Sequence, residues 1–167
     1  AAVKGVGEGL VTELVEQRQK NGAFKSLFDL CQRVHGANLN KRALEALIHS
    51  GACDCFGISR EDLVASIPLA VGAADAHAQQ EATGQNCLFG GSGEQAFDSN
   101  LPAYINAPLR GQLEILERER QVLGMFMTAN PLDVYAQDIK SLSLRPLKTL
   151  KTITKDKVEF AFTAVIL

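Results

Sequence analysis

Length, composition and charge narrow the classes of protein that this sequence can encode. The chain has 167 residues, of which 46% are hydrophobic, and its formal net charge is −2. This composition allows one domain, or one domain and part of another, with a genuine core, and it excludes wholesale disorder. No apolar run approaches the roughly 18 residues that span a bilayer, and no signal peptide opens the chain, so we expect a cytoplasmic protein without a membrane partner.

The charges are distributed unevenly along the chain. Residues 1–60 hold 8 Lys and Arg against 6 Asp and Glu, residues 61–120 hold 3 against 9, and residues 121–167 hold 6 against 4. Two mildly basic segments therefore flank an acidic one. Any contact to phosphate is expected near the ends of the chain rather than in its middle.

A glycine-rich turn opens the chain at residues 3–9, Val-Lys-Gly-Val-Gly-Glu-Gly, and leads directly into an amphipathic helix that is expected to end near Asn21. Glycines at every second position free the backbone and let it approach a ligand closely. The free N–H groups of the following helix lie at the positive end of its dipole. The pattern is typical of a phosphate-binding turn, although a plain interhelical turn explains it equally well.

Cap residues and apolar periodicity predict three more helices in the first half of the chain. Ser26 caps the second helix, Asn40 caps the third over Lys41–His49, and Ser59 caps the fourth, which continues to about Glu81. Pro68 is expected to kink or end this fourth helix. A second small-residue turn, Ser50-Gly51-Ala52, follows the third helix and repeats the scheme of the first turn in degenerate form. Such paired turns indicate helix-hairpin-helix motifs, which grip phosphates without reading sequence.

Gly- and Pro-rich sequence from 83 to 108 predicts a linker or loose loop. Within it, Gln85-Asn86-Cys87-Leu88-Phe89 places an adjacent apolar pair in polar surroundings. The pair either tucks onto the helical domain or, as a linear peptide, fills an apolar pocket of a partner while Gln85 hydrogen-bonds beside it.

The last third of the chain changes from helix to strand. Helical periodicity resumes over residues 108–127, where Glu119 and its charged neighbours are expected on the solvated face. Alternation over residues 158–167 predicts a strand that needs partners from a larger sheet. The four cysteines, Cys31, Cys53, Cys55 and Cys87, lack the spacing of a disulfide framework or of a zinc site. We therefore expect reduced thiols and no metal.

These motifs together resemble a region of the bacterial DNA polymerase III alpha subunit, a C-family replicative polymerase. The resemblance covers nearly the whole chain and keeps the family's order. The segments that carry it are residues 3–9, 24–34, 39–48 with Ser50-Gly51-Ala52, and 123–132.

The resemblance implies a mainly α fold in four parts. Residues 1–81 would form a tandem helix-hairpin-helix DNA-binding domain, 82–109 a linker with a clamp-binding peptide, 110–130 a connecting helix, and 131–167 the first strands of a truncated OB-fold domain. Cys53 stands where the family tends to carry an aromatic residue. The expected phosphate-binding residues are Lys4, Gly5, Val6, Gly7, Glu8 and Gly9 in the first turn, and Ser50, Gly51 and Ala52 in the second.

The same resemblance implies function. The segment would bind duplex or primed DNA and, through Gln85, Leu88 and Phe89, the sliding clamp (beta subunit), within a holoenzyme of further subunits. The parent chain would be a DNA-directed DNA polymerase, a nucleotidyltransferase that uses Mg, whose catalytic carboxylates lie elsewhere, so this segment carries no catalytic residue or cofactor. The alternatives are a stand-alone helix-hairpin-helix nuclease or repair protein, which needs a carboxylate or histidine cluster near the turn, and a structural helical adaptor.

Overall fold

The computed structural model describes residues 3–36, 39–83 and 102–142, and all regular structure in these ranges is helical. The mainly α part of the predicted fold is thereby confirmed. Two 3-10 turns, Asp54–Phe56 and Pro131–Tyr135, accompany the helices. The helices are α1 (Glu8–Asn21), α2 (Leu27–Arg33), α3 (Lys41–His49), α4 (Arg60–Thr83), α5 (Gln112–Leu123) and α6 (Ala136–Ser141).

The starts of three helices follow the predicted caps. The Ser26 hydroxyl accepts the Asp29 amide at 3.1 Å, and the Asn40 side chain accepts the Ala43 amide at 2.9 Å. Ser59 does the same for α4, accepting the Asp62 amide at 3.1 Å. Each cap satisfies one of the four amide groups that a helix start leaves without an intrahelical acceptor.

A single hydrophobic core forms where α2 and α3 pack against α4. Burying each large aliphatic or aromatic side chain contributes about 1.5–3 kcal/mol, so this cluster dominates the stability of the described domain. Its largest fully buried apolar members are Phe28, Leu27, Leu44, Ile48, Leu63 and Ile67. Helix α1 contributes little to this core, because Leu10 is buried whereas Val11 and Val15 are exposed.

Helix α4 continues through Pro68 and ends at Thr83, two residues beyond the predicted end. Proline lacks an N–H donor and removes one hydrogen bond of the helix ladder. The neighbours Ile67 and Ala70 are nevertheless buried in the core. Tertiary packing on both sides of the proline therefore holds the helix together.

An extended strap of residues 102–110 lies across α2 and α4 before α5 begins. The Tyr104 hydroxyl accepts the Leu27 amide at 3.2 Å, and its ring lies 5.2 Å from that of Phe28. The Ile105 amide donates to the buried Ser66 hydroxyl at 2.8 Å. These contacts fasten the strap to the core, and α5 therefore starts at Gln112 rather than at the predicted residue 108.

Helix α5 ends at Leu123, four residues earlier than predicted, because Gly124 adopts a left-handed conformation with φ 81°. Its amide donates to the Arg120 carbonyl at 2.7 Å, a common way to end a helix. Residues 131–141, which belong to the segment that the resemblance assigned to the start of the OB-fold domain, are helical. The predicted strand at 158–167 and the other OB-fold strands lie outside the described residues.

Candidate nucleic-acid interface

The first hairpin, residues 4–9, is held in place by apolar residues that alternate with its glycines. Val6 is 5% exposed and Leu10 2% exposed, so both side chains anchor the turn in the core. Gly5 has φ 93°, a conformation that other residues rarely adopt, and a Cβ there would lie 3.7 Å from Ala46 Cβ. The anchors leave Lys4, Gly5, Gly7, Glu8 and Gly9 exposed.

The start of α1 has an uncapped, exposed set of amide groups. Gly7 is its N-cap residue, with extended backbone (φ −75°, ψ 152°) and no side chain to accept a first-turn amide. Within the described residues, the amides of Gly7, Glu8 and Gly9 donate no hydrogen bond to the protein. They lie at the positive end of the helix dipole, where an anion is favoured. The Glu8 carboxylate supplies a negative charge in the same turn.

Two basic side chains lie beside this hairpin. The Lys4 amide donates to the Val122 carbonyl of α5 at 2.8 Å, which fixes the hairpin against that helix and leaves the Lys4 ammonium exposed. The Arg42 Nε lies 3.9 Å from the point that a Cβ on Gly5 would occupy. Lys41, in contrast, pairs with Glu45. Lys4 and Arg42 form no ion pair among the described residues, so both charges are available to a ligand.

The second hairpin, residues 50–52, uses its amides to end α3. Ser50 donates to the Ala46 carbonyl at 3.0 Å, Gly51 to Ile48 at 3.0 Å, and Ala52 to Leu47 at 3.1 Å. With Gly51 at φ 83°, the last two bonds form a Schellman motif. The three amides predicted to bind phosphate are therefore already engaged with backbone carbonyls in this conformation.

We expect Gly51→Ala to destabilise the domain by about 1–2 kcal/mol, because the alanine must adopt a left-handed conformation. Its Cβ would also lie 2.7 Å from Arg60 Nη2 and 3.1 Å from Asp54 Oδ2. The matched control is Gly72→Ala, since Gly72 lies inside α4 with open space around a Cβ. This control should gain about 0.5–1 kcal/mol. Urea unfolding measures both variants, and a Gly51→Ala protein as stable as wild type would contradict this role.

A buried carboxylate joins α5 to the loop that follows it and to the start of α4. Glu119 is 1% exposed, which corrects its predicted place on the solvated face. It accepts the Met127 amide at 2.9 Å and the Thr128 amide at 3.0 Å, and it also accepts a short hydrogen bond from the Thr128 hydroxyl. Arg60 Nη1 lies 3.7 Å from Glu119 Oε1. Helical periodicity missed this residue because the donors that bond to its carboxylate come from the loop that follows the helix.

Arg60 is the centre of the same network. It donates two hydrogen bonds to Asp54, at 2.8 and 2.6 Å, and a third to the His49 carbonyl at 3.3 Å. The hydrogen bonds with Asp54 raise the pKa of Arg60 above its ordinary value. Burial alone would raise the pKa of Glu119, but the bonds from Thr128 and Met127 outweigh it and lower that pKa. Arg60 and Glu119 are therefore both charged at neutral pH, and both side chains are hydrogen-bonded.

The described cysteines are reduced, and two of them are chemically inert. Burial raises the pKa of Cys31 and of Cys53 to about 12, whereas Cys55 is exposed. In the described ranges no three or more His, Cys, Asp or Glu side chains cluster in a way that could hold a metal ion. None of the helices in these ranges is long and apolar enough to cross a membrane.

The helices around the two hairpins form a helix-hairpin-helix domain, and residues 1–63 match the family model described as a helix-hairpin-helix motif. The chain is also 40% identical over 149 residues to DNA polymerase III subunit alpha of Haemophilus influenzae, covering 89% of the chain and 13% of that protein. It is 40% identical to the subunit of the same name in Escherichia coli K12 over 139 residues, covering 83% of the chain and 12% of that protein.

The chain is thus homologous to a segment of the DNA polymerase III alpha subunit, which confirms the resemblance seen in its motifs. It spans about one eighth of the length of these relatives, 12–13%. The matched family model includes both hairpins. Gln85, Leu88 and Phe89, the predicted clamp-binding residues, lie outside the described residues.

Proposed function

We propose that this chain binds duplex DNA by gripping its phosphates at the first hairpin. The single observation that carries the proposal is the uncapped start of α1, where exposed amides of Gly7, Glu8 and Gly9 make no other hydrogen bond among the described residues. Backbone amides recognise phosphate oxygens of any sequence, so the contact positions the duplex without reading it.

The surroundings of the hairpin favour DNA over an isolated small anion. Lys4 and Arg42, which form no ion pair in the described part of the chain, add two positive charges, one from the hairpin and one from α3. A backbone of repeated phosphates can engage the amides and both side chains at once. Homology to a polymerase subunit supports the same ligand.

In this proposal the second hairpin holds α3 in place and does not donate amides to DNA. Its amides cap α3, and Arg60 below Gly51 is held by Asp54 and Glu119. Ser50, Gly51 and Ala52 therefore fix the end of α3, the helix that presents Arg42 to the first hairpin. We propose that the first hairpin alone donates amides to DNA.

We further propose that the linker tethers the chain to the sliding clamp, with Leu88 and Phe89 filling an apolar pocket and Gln85 hydrogen-bonding beside them. The support is the resemblance of residues 85–89 to the family's internal clamp motif. Two modest contacts in one chain reinforce each other through effective concentration. The chain would thus hold primed DNA and clamp together within the polymerase holoenzyme, in the bacterial cytoplasm, while nucleotidyl transfer takes place elsewhere in the parent subunit.

The proposed hairpin site is tested by measuring how tightly a variant without its two basic side chains binds duplex DNA. Lys4→Gln with Arg42→Gln should weaken binding to a 20-base-pair duplex by about tenfold or more, because two charge-assisted contacts are lost. Lys140→Gln removes an exposed charge from α6 and should leave the affinity near that of wild type. Equal affinities of the double variant and the control, measured by fluorescence anisotropy, would refute the hairpin site. Metal-dependent cleavage of the duplex would instead favour a nuclease or repair enzyme.

A further inference from the structure

His49, the last residue of α3, lies among basic side chains that the hairpin proposal does not use. Arg118 of α5 places Nη1 3.5 Å from His49 Nε2. Arg118 also donates to Glu114 Oε1 at 3.2 Å, and Arg110 pairs with the same carboxylate. These four residues, His49, Arg110, Glu114 and Arg118, are named here the His49 cluster.

The cluster contains a polar atom with an unmet hydrogen bond. Arg118 Nε is buried and has no acceptor among the described residues. Native structures satisfy the great majority of buried donors, so this guanidinium is incompletely paired where it lies, and its side chain, which is 36% exposed, can turn toward an anion at the surface. Glu114 is a weak competitor for Arg118, because its side chain is 45% exposed and solvent screens the pair. The guanidinium has donors to offer a second anion.

The cluster continues the face that carries the first hairpin. His49 is seven residues after Arg42, so both lie on one side of α3. Arg118 is four residues before Val122, whose carbonyl accepts the Lys4 amide. Seven residues of helix span about 10 Å. This distance exceeds the rise of about 3.4 Å between neighbouring phosphates of one DNA strand, so the hairpin and the cluster are far enough apart to engage different phosphates.

We propose that Arg118 and His49 form a second contact to the backbone phosphates of duplex DNA, at phosphates other than those that the first hairpin binds. This inference rests on the proposed binding of duplex DNA and adds a site to it. Arg118 leaves the exposed Glu114 and donates to phosphate oxygens, while His49 supplies a ring N–H beside it. Arg110 remains with Glu114 and keeps that carboxylate away from the phosphate.

Protonation of His49 makes this contact dependent on pH. The groups that face it are Glu45 of α3, Arg118 of α5, Arg110 ahead of α5 and Arg60 of α4. Burial and the charge of Arg118 lower the pKa of His49, so the free protein holds it neutral at pH 7, with Nε2 accepting from Arg118. A bound phosphate favours the imidazolium and raises that pKa. DNA binding therefore takes up a proton, and affinity rises as the pH falls.

The test measures binding of the full 167-residue chain to a 20-base-pair duplex against salt at pH 8 and pH 6. Arg118→Gln should reduce the slope of log affinity against log salt by about 0.9, the share of one phosphate contact. Arg118→Lys keeps the charge and should retain the slope, and Lys140→Gln is the control for charge loss elsewhere. Wild-type affinity should rise between pH 8 and pH 6, by at most about tenfold per pH unit for one proton. His49→Gln should remove this rise, whereas His35→Gln should keep it.

Three outcomes separate the two proposals. A reduced slope for Arg118→Gln with a lost pH response for His49→Gln supports the second contact. A wild-type slope in Arg118→Gln, or a full pH response in His49→Gln, overturns it while the hairpin still binds. Salt-independent binding by the wild-type chain would instead overturn the proposed function itself.

Discussion

Replacing Leu88 and Phe89 together with alanine is expected to abolish binding of the chain to a bacterial sliding clamp. Apolar anchors that fill a pocket commonly contribute 2 kcal/mol or more each, so the double substitution should weaken binding at least about 100-fold. The affinity for duplex DNA should not change, because the proposed DNA contacts lie on α1, α3 and α5. Surface plasmon resonance with the Escherichia coli clamp measures the first effect, since the DNA polymerase III subunit alpha of that organism is 40% identical to the chain.

The matched control is Phe97→Ala, which removes another phenylalanine from the same linker. It should bind the clamp as tightly as wild type, showing that the adjacent pair rather than general hydrophobicity is recognised. If the variant that lacks both Leu88 and Phe89 still binds the clamp, residues 85–89 are not the clamp-binding peptide. This result would leave the DNA-binding proposal in place.

The second large effect is expected for Glu119→Gln, which should cost about 1–3 kcal/mol of unfolding free energy. The substitution removes the charge that accepts hydrogen bonds from the Met127 and Thr128 amides and places an amide N–H₂ against one of these donors, while Arg60 keeps its ion pair with Asp54. Guanidinium unfolding measures the loss. Glu117→Gln on the exposed face of α5 is the control and should stay within about 0.5 kcal/mol of wild type.

The same carboxylate gives wild-type stability a predictable response to acid. The pKa of Glu119 is lower in the folded protein than its ordinary value, about 4.3 in an unfolded chain. Its stabilising contribution is therefore complete above that value and is lost as the pH falls through the folded pKa. The Glu119→Gln variant should lose less stability than wild type on acidification. Equal acid sensitivity of the two proteins would argue against a role for the ionised carboxylate.

The sequence predicted the parts of the fold that depend on neighbouring residues. Ser26, Asn40 and Ser59 mark helix starts because a cap bonds an amide only two or three residues ahead. Gly124, which lies inside the helix predicted over residues 108–127, could have predicted the early end of α5, since glycine readily adopts the left-handed conformation. Apolar periodicity outweighed that signal in the prediction.

The features that sequence reasoning missed depend on contacts between distant residues. Glu119 has charged neighbours on both sides, and only the return of Thr128 over α5 explains its burial. The position of Arg42 beside Gly5 likewise results from the packing of α3 against the first hairpin. Nor does the sequence of the second hairpin reveal that its amides are used to cap α3. Packing between residues that are distant in the sequence determines the burial of Glu119, the position of Arg42 and the use of the second hairpin's amides.

The salt dependence of duplex binding tests the central claim most directly. We expect the wild-type chain to bind a 20-base-pair duplex with log affinity falling linearly against log salt, with a slope near −0.9 for each phosphate engaged. The double variant Lys4→Gln, Arg42→Gln should have a shallower slope, reduced by nearly the contribution of two phosphate contacts. A wild-type affinity that is too weak to measure at 50 mM salt, or one that does not change with salt, would contradict phosphate binding by the hairpin. It would favour the structural adaptor, in which the glycines only turn the chain.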